Sequence, residues 1–315
     1  MDRTVTHDSA ETEDDREVEE VRRFVAALGL PGIVDVHTHF MPSNVMDKVW
    51  RYFDSAGPLT GRPWPITYRH DEDERVARLR AFGVRAFTSM IYPHKPAMAA
   101  WLNGWARDFA LRTPDCVRTA TFFPEPGAAD YVRDAVDSGV GIFKSHIQVG
   151  DYSPDDPLLE GVWGTIDDAG LPVVIHCGSG PAPGRFTGPG PIAGLLARFP
   201  RLPLVIAHMG MPEYGEFLDL ATRYPNVHLD TTMAFTDFSE EVAPFPTSRL
   251  PQLVELRDRI LFGSDFPNIP YRYLHALEGL TRFDLGDDWL RAVVHDNGAR
   301  LFPGTAGGPL PAVDG

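Results

Sequence analysis

The chain has 315 residues, 43% of them hydrophobic, and a formal net charge of −15 at pH 7. A chain of this length can bury a sizeable core, either as one large α/β domain or as two ordinary domains. The acidic charge, with no cluster of Lys and Arg, argues against a nucleic-acid-binding surface, because neutralising phosphates requires cations.

The first 30 residues read as an acidic leader, a disordered or helical extension that aids solubility. The chain contains no run of 18 apolar residues, and its acidic start lacks the order of charges typical of a signal peptide. The two cysteines, Cys116 and Cys177, suit a reducing compartment. We therefore expect a cytoplasmic protein that does not contact membranes.

After the leader, short apolar runs rich in β-forming residues alternate with segments of helical periodicity. The predicted strands cover residues 32–37, 84–91, 117–123, 141–147, 172–177, 204–209, 227–232 and 260–265. The predicted helices cover residues 72–82, 97–112, 128–138, 158–169, 192–199, 213–224, 250–257, 271–280 and 287–301.

Eight strand–helix units predict a (β/α)8 TIM barrel, an α/β fold that here covers residues 31–303, with a flexible tail over 304–315. The alternative is an open doubly wound sheet, but no Gly-rich phosphate-binding motif follows the first strand. Irregular insertions follow strands one, five and seven, and in a barrel they would lie over the C-terminal mouth. They cover residues 40–69, 177–191 and 234–248.

The first strand ends in two histidines separated by one residue, in the segment IVDVHTH that contains His37 and His39. Alternate strand residues point to the same face, about 7 Å apart along the backbone, so both imidazoles can reach one ion. An isolated pair of this kind is equally well explained as two exposed or hydrogen-bonded histidines.

Further polar side chains interrupt or close the other apolar runs, where burial without a partner would cost free energy. They are Lys144 and His146 on strand four, His176 on strand five, His208 on strand six and Asp265 on strand eight. The C-terminal ends of barrel strands meet on one face, so we interpret His37, His39, His176 and Asp265 as ligands of one divalent cation. Zinc is the default ion, and Mn²⁺, Fe²⁺ or Co²⁺ suit the same ligands.

The sequence resembles the amidohydrolase superfamily, in particular the amidohydrolase-related branch that includes aminocarboxymuconate-semialdehyde decarboxylase and similar metal-dependent hydrolases. The resemblance covers nearly everything after the leader. It is carried by VDVHTHF at 34–40, VIHCG at 174–178, VIAHMG at 205–210, RYPNVHLDTT at 223–232, RILFGSDFP at 259–267 and DNGARLF at 296–302.

The resemblance implies roles for these residues. His37 and His39 match the metal pair of strand one, His176 a further ligand, and Asp265 a ligand that also takes a proton. His208 matches a histidine that polarises the substrate or assists proton transfer. Lys144 matches a lysine that in some relatives is carboxylated and bridges two metals; contact with a substrate anion is the alternative.

Four further residues are predicted to bind substrate, and each has a simpler explanation. Tyr92 and His94 follow strand two, but they could merely decorate a turn. His146 could instead be structural, and Arg185, in the loop after strand five, could pair with a substrate carboxylate or remain solvated. Two tryptophans of the first insertion, Trp50 and Trp64, either line an apolar pocket or pack the insertion.

The first functional hypothesis is a metal-dependent hydrolase that attacks an amide, lactone or related carbonyl of a small molecule. The alternative on the same residues is metal-dependent, non-oxidative decarboxylation of an aromatic or unsaturated carboxylic acid. A third hypothesis, from another class, is a metal-free binding barrel. We expect a homodimer, because two-fold dimers are the commonest soluble oligomers.

Overall fold

The computed structural model describes residues 13–303. The predicted tail over residues 304–315 and the first 12 residues of the predicted leader lie outside this range. Within the range, no helix combines the length and apolarity needed to cross a membrane.

Within residues 13–303, nine short strands, all paired in parallel, form a three-stranded and a six-stranded sheet in the order of the chain. Their bounds are β1 Ile33–Asp35, β2 Val84–Thr88, β3 Cys116–Val117, β4 Thr119–Thr121, β5 Ile142–His146, β6 Val173–His176, β7 Leu204–Ile206, β8 Val227–Asp230 and β9 Ile260–Leu261.

The two sheets form one closed barrel. Only Arg118 separates β3 from β4, so these two strands make up the third barrel strand. At the other seam the Val36 N–H donates to Phe262 O at 2.9 Å, which joins the segment after β9 to the end of β1. The prediction of an eight-stranded (β/α)8 barrel is confirmed, although the third predicted strand is interrupted and most strands are shorter than predicted.

The α-helices of the described chain surround this barrel or lie in its loops. Their bounds are α1 Glu13–Ala27, α2 Ser43–Asp54, α3 Gly57–Thr60, α4 Glu72–Ala81, α5 Ala99–Arg112, α6 Ala128–Asp137, α7 Ile147–Gly150, α8 Glu160–Ala169, α9 Pro189–Arg198, α10 Tyr214–Arg223, α11 Asp237–Glu240, α12 Leu250–Glu255, α13 Tyr273–Gly279, α14 Asp287–Arg291 and α15 Asn297–Leu301. A π-helical segment, Ala292–Asp296, joins the last two.

Strand side chains alternate between two apolar layers. On β6, Val173 and Ile175 face outward into the large core beneath the helices, and Val174 faces inward with Val34, Val205 and other small aliphatic residues. Both faces of the sheet are therefore covered, which explains why the strands read as continuous apolar runs in the sequence.

Helix α1 belongs to the segment predicted to be a disordered or helical leader, and it packs against the barrel. Val21 is fully buried, and Glu17 is only 3% exposed. The Glu17 carboxylate accepts hydrogen bonds from Tyr68 OH at 2.7 Å and from the Leu274 N–H at 3.3 Å. The solvated-leader interpretation does not hold for this helix, because its inner face buries apolar side chains and a partnered carboxylate. The domain boundaries at residues 31 and 304 stay predictions.

Helix α15 closes against β1 at a position where only glycine fits. A Cβ added at Gly298 would lie 2.6 Å from Val34 Cγ1 and 2.9 Å from Val34 Cβ. We expect Gly298→Ala to lower the free energy of unfolding by about 1–3 kcal/mol, the usual cost of overpacking a core. Gly164→Ala in α8 is the matched control, because its added Cβ would meet nothing within 4 Å. Urea denaturation of both variants checks this expectation; equal stabilities would contradict it.

Candidate functional site

The polar side chains predicted from the strand ends do meet at one end of the barrel. The ring centroids of His37 and His39 are 5.1 Å apart, and those of His37 and His208 are 5.2 Å apart. His208 lies 4.7 Å from His176, which in turn stacks on His146 at 4.1 Å. Side chains that end strands β5 and β6 or follow strands β1 and β7 therefore line one continuous surface.

Three of these residues form a group that fits a metal ion. Donor atoms of His37, His39 and Asp265 all lie within 4.8 Å of one another, and all three residues are buried. Asp265 Oδ1 is 2.9 Å from His39 Nε2 and 3.6 Å from His37 Nε2. We call this group the metal cluster.

Hydrogen bonds to the far ring nitrogens fix the orientation of both imidazoles. His37 Nδ1 lies 2.9 Å from Asp230 Oδ2, and His39 Nδ1 lies 2.7 Å from Met90 O. Because both oxygens accept, each ring carries its proton on Nδ1 and presents Nε2 to Asp265. Partners of this kind are the usual companions of metal-bound histidines.

The electrostatics of the cluster favour a bound cation. Burial, together with the nearby Lys144, lowers the pKa of His37 to about 3, so this ring is neutral and offers a lone pair. His39 Nδ1 is occupied by Met90 O, so Nε2 is the nitrogen of this ring that faces the Asp265 carboxylate, at 2.9 Å. An imidazole nitrogen and a carboxylate oxygen this close together can bind the same divalent metal.

Asp265 and Asp230 are both held as carboxylates. Burial alone would raise the pKa of Asp265, but its contact with His39 and the nearby His208 and His37 outweigh burial and hold the pKa well below its usual range. The same balance with His37 lowers the pKa of Asp230. Asp230 also accepts a hydrogen bond from the backbone N–H of His208 at 2.9 Å, which links the segment after β7 to the metal cluster.

Lys144 lies at the centre of this surface and is fully buried. Its Nζ is 3.0 Å from His37 Nε2, and burial lowers its pKa to about 8. The sequence prediction that Lys144 reaches the mouth therefore agrees with its position, whereas the choice between a bridging role and a substrate contact stays a prediction.

His176 lies beside the metal cluster and is not one of its members. Its Nε2 is 3.0 Å from Gly180 O, in the loop after β6. Burial lowers the pKa of His176 and of His146, so both rings are neutral. His208 Nδ1 is 3.1 Å from Thr232 O, which directs the other nitrogen of that ring away from the strand β8 segment. The ligand role predicted for His176 stays a prediction.

Of the four predicted substrate contacts, Tyr92 and His146 lie at the site, whereas His94 and Arg185 lie on exposed loops. Tyr92 lies at the site, with its ring 5.6 Å from His39 and 4.8 Å from His146. His94 and Arg185 are exposed, and the Arg185 guanidinium lies over the ring of Phe186 at 4.9 Å. Their loops follow no strand or helix periodicity, so the sequence could not fix where these two side chains point.

Behind the metal cluster, the Asp35 carboxylate lies in a buried hydrogen-bond network that includes Tyr273, a residue that the sequence analysis did not single out. Asp35 Oδ1 accepts from the backbone N–H groups of His37 at 3.2 Å and Ser264 at 3.1 Å, and Asp35 Oδ2 accepts from Tyr273 OH at 2.9 Å. Burial raises the pKa of Asp35 to about 7. Tyr273 is the first residue of helix α13. The signal for such a partner in the sequence is Asp35 itself, because a carboxylate within a buried apolar strand needs hydrogen-bond donors.

The two tryptophans of the first insertion both donate hydrogen bonds to Asn268. Trp50 Nε1 donates to Asn268 Oδ1 at 3.0 Å, and Trp64 Nε1 donates to Asn268 O at 2.8 Å. Trp64 also packs with Ile66 and Met233 in a small apolar cluster. These contacts favour the explanation that the tryptophans pack the insertion.

The sequence profile of the amidohydrolase family matches residues 34–304. The chain belongs to this family. A search of curated proteins found no match to this amidohydrolase.

Several solved structures have the same fold. An uncharacterised TIM-barrel protein from Bordetella bronchiseptica is 21% identical, with a TM-score of 0.67 over 86% of this amidohydrolase and 98% of that chain. A 5-carboxyvanillate decarboxylase from Novosphingobium aromaticivorans, complexed with manganese, is 14% identical, with a TM-score of 0.55 over 87% and 97%. A probable 2-pyrone-4,6-dicarboxylic acid hydrolase from Acinetobacter baumannii is 12% identical, with a TM-score of 0.59 over 86% and 99%.

Proposed function

We propose that this amidohydrolase is a metal-dependent hydrolase that uses water to cleave an amide, lactone or related carbonyl compound of small size. The observation that carries the proposal is the metal cluster, in which the Nε2 atoms of two imidazoles face the same carboxylate oxygen of Asp265. Members of the family are enzymes, and hydrolases and decarboxylases both occur among the structural neighbours.

His37, His39 and Asp265 would hold one divalent cation, with His176 as the further ligand implied by the sequence resemblance. Zinc is the default for two imidazoles and a carboxylate, and the manganese in the N. aromaticivorans structure supports Mn²⁺ as an alternative. When bound, such an ion polarises a carbonyl oxygen and lowers the pKa of a water molecule to about 7.

The protein's own side chains then handle the protons. The Asp265 carboxylate, held ionised at the mouth, accepts the proton of the attacking water and returns it to the leaving group. His208 keeps one ring nitrogen on Thr232 O, which leaves its second nitrogen to hydrogen-bond the substrate. Tyr92, whose ring meets that of His39 edge-on, and His146, which stacks on His176, provide a surface for the rest of the substrate.

A second candidate function is non-oxidative decarboxylation of an aromatic or unsaturated carboxylic acid. Lys144 favours it, because a fully buried ammonium group beside the cluster would pair with a substrate carboxylate. In that reaction the bond between the carboxylate carbon and the substrate breaks, CO₂ leaves, and the resulting carbanion takes a proton from an acidic group of the site.

One experiment separates the two reactions. The purified protein is loaded with Zn²⁺ or Mn²⁺ and incubated in ¹⁸O-labelled water with a panel of lactones, amides and aromatic acids. We expect ¹⁸O in the product and no CO₂ from the acids. Release of CO₂ without incorporation of ¹⁸O would establish the decarboxylase instead. Protein that binds neither metal and turns over no substrate would favour the third hypothesis, a metal-free binding barrel.

A further inference from the structure

The loop that carries Asp265 has an unusual backbone conformation. Asp265 has φ of +69°, in the left-handed region that few residues other than glycine, Asn and Asp adopt. Three residues later the Asn268 N–H donates to Asp265 O at 2.8 Å and closes a turn. We call residues 265–268 the Asp265 turn. A conformation of this kind persists only where surrounding contacts hold it.

Strand β1 holds the inner side of the Asp265 turn. The Asp265 N–H donates to His37 O at 2.9 Å, and the His39 N–H donates to Phe266 O at 2.7 Å. These two bonds link the turn to the same segment that supplies the two histidines of the metal cluster. They do not involve Asn268, which ends the turn.

The first insertion holds the outer side of the turn through hydrogen bonds to Asn268 and Ile269, and through the ring of Tyr68, which lies 4.8 Å from that of Phe266. Trp50 Nε1 donates to Asn268 Oδ1 at 3.0 Å, and Trp64 Nε1 donates to Asn268 O at 2.8 Å. The Thr67 N–H donates to Ile269 O at 3.0 Å. Asn268 itself is only 2% exposed, so a lost indole N–H would not be replaced freely by solvent.

Both indoles are themselves fixed by their surroundings. The guanidinium of Arg75, a buried residue of α4, lies 5.5 Å from the Trp50 ring centroid. The ring of Trp64 is 5.1 Å from that of Phe53 and 4.8 Å from that of Phe238. The insertion therefore presents two fixed N–H donors to one residue. Packing alone would require the two rings but not these two hydrogen bonds.

We propose that Trp50 and Trp64 are positioning residues that act through Asn268 to hold the Asp265 carboxylate against His37 and His39. The inference rests on the proposed role of Asp265 as a metal ligand and proton carrier. It makes the insertion after strand β1 part of the metal site, although none of its side chains belongs to the metal cluster. Loosening the turn should move the Asp265 oxygen while the two imidazoles remain in place.

The test uses Co²⁺ as the probe, because its visible absorption reports the geometry of its ligands. The variants are Trp50→Phe, Trp64→Phe and Asn268→Ala, together with the double variant Trp50→Phe/Asn268→Ala. We expect each single variant to bind Co²⁺ about ten- to a hundredfold more weakly than the wild type, as for other partners that orient metal ligands, and to show a changed spectrum. Because Trp50 acts through the Asn268 side chain, the double variant should be no weaker than Asn268→Ala alone.

Trp289→Phe is the matched control. Its indole is buried to a similar degree as that of Trp64 and donates to Leu253 O at 2.9 Å, outside the Asp265 turn. We expect this variant to keep the wild-type Co²⁺ affinity and spectrum. Thermal unfolding of the metal-free proteins shows whether each variant is folded. If Trp64→Phe does not fold, Trp50→Phe, which keeps a ring at a half-buried position, still tests the proposal.

The wild-type measurement and the variant measurements answer different questions. Wild-type protein that binds no Co²⁺ would overturn the proposed function and this inference with it. Wild-type protein that binds Co²⁺, with the same affinity and spectrum in folded Trp50→Phe and Asn268→Ala, would overturn the inference alone. Additive losses in the double variant would also overturn it, since Trp50 would then act independently of Asn268.

Discussion

Replacing His39 with alanine is expected to abolish both metal binding and turnover. His39 Nε2 lies 2.9 Å from Asp265 Oδ1, closer than any other ring nitrogen of the metal cluster. Without His39, the metal cluster keeps only two ligands, His37 and Asp265. We therefore expect the affinity for Zn²⁺ or Mn²⁺ to fall by about a hundredfold or more. Metal content by elemental analysis, with a titration of the metal-free protein, measures the effect.

His228→Ala provides the control for this loss. His228 lies on β8, and its Nδ1 is 3.2 Å from Asn226 O, away from the cluster. Its removal should leave the metal content unchanged. A His39→Ala protein with full metal content would contradict the assignment of the cluster.

The same titration on His176→Ala tests the ligand that only the sequence supports. The resemblance implies that this variant also loses metal and turnover. In the structure, however, His176 Nε2 is 3.0 Å from Gly180 O and its ring stacks on His146. Retention of the metal in His176→Ala would therefore limit His176 to holding the loop after β6.

The pattern of strand ends predicted that His37, His39 and Asp265 come together, whereas His176, predicted as a ligand beside them, lies outside the metal cluster. His37 and Asp265 are far apart in the chain, but parallel strands in a closed barrel bring their C-terminal ends to one face. His37 and His39 both follow β1, which ends at Asp35, so the predicted alternation along a strand does not extend to them. The positions of the strands depend on local periodicity, which a single sequence contains, and the meeting of their ends follows from the barrel fold.

The sequence could not specify how the site is oriented, because long-range hydrogen bonds decide it. Which nitrogen His37 presents depends on Asp230, a residue of another strand. The burial of α1 depends on the contact of Glu17 with Tyr68 and with the start of α13. Acidic composition alone suggested a solvated extension, since it does not show that one carboxylate of the helix has buried partners.

The insertions illustrate the same limit. The composition of residues 40–69 left open whether Trp50 and Trp64 line a pocket or pack the loop, because an indole serves either purpose. Their shared acceptor, Asn268, follows β9 and lies more than 200 residues along the chain. Only the closure of the barrel between β9 and β1 makes these segments neighbours.

Asp265→Asn is expected to reduce turnover far more than metal binding. Asparagine keeps an oxygen at Oδ1 for the metal, but it carries no charge and cannot accept the proton of the attacking water. We expect kcat/KM to fall by about 10²–10⁴-fold, the usual contribution of general acid–base catalysis, and metal affinity by about tenfold. The backbone should tolerate the change, because Asn adopts the left-handed conformation as readily as Asp. Activity assays and a metal titration on the same preparation give both numbers.

Asp284→Asn is the matched control, since Asp284 also has a positive φ, of 48°, and is exposed. It should leave both quantities unchanged. The ratio of the two losses in Asp265→Asn then separates the two roles of this carboxylate. A variant that binds metal normally but is inactive identifies Asp265 mainly as the proton carrier, and equal losses identify it mainly as a ligand. Full activity in Asp265→Asn would show that this carboxylate does not carry the proton. The proton would then have to pass through another group of the site, and His208 is the other predicted catalytic residue.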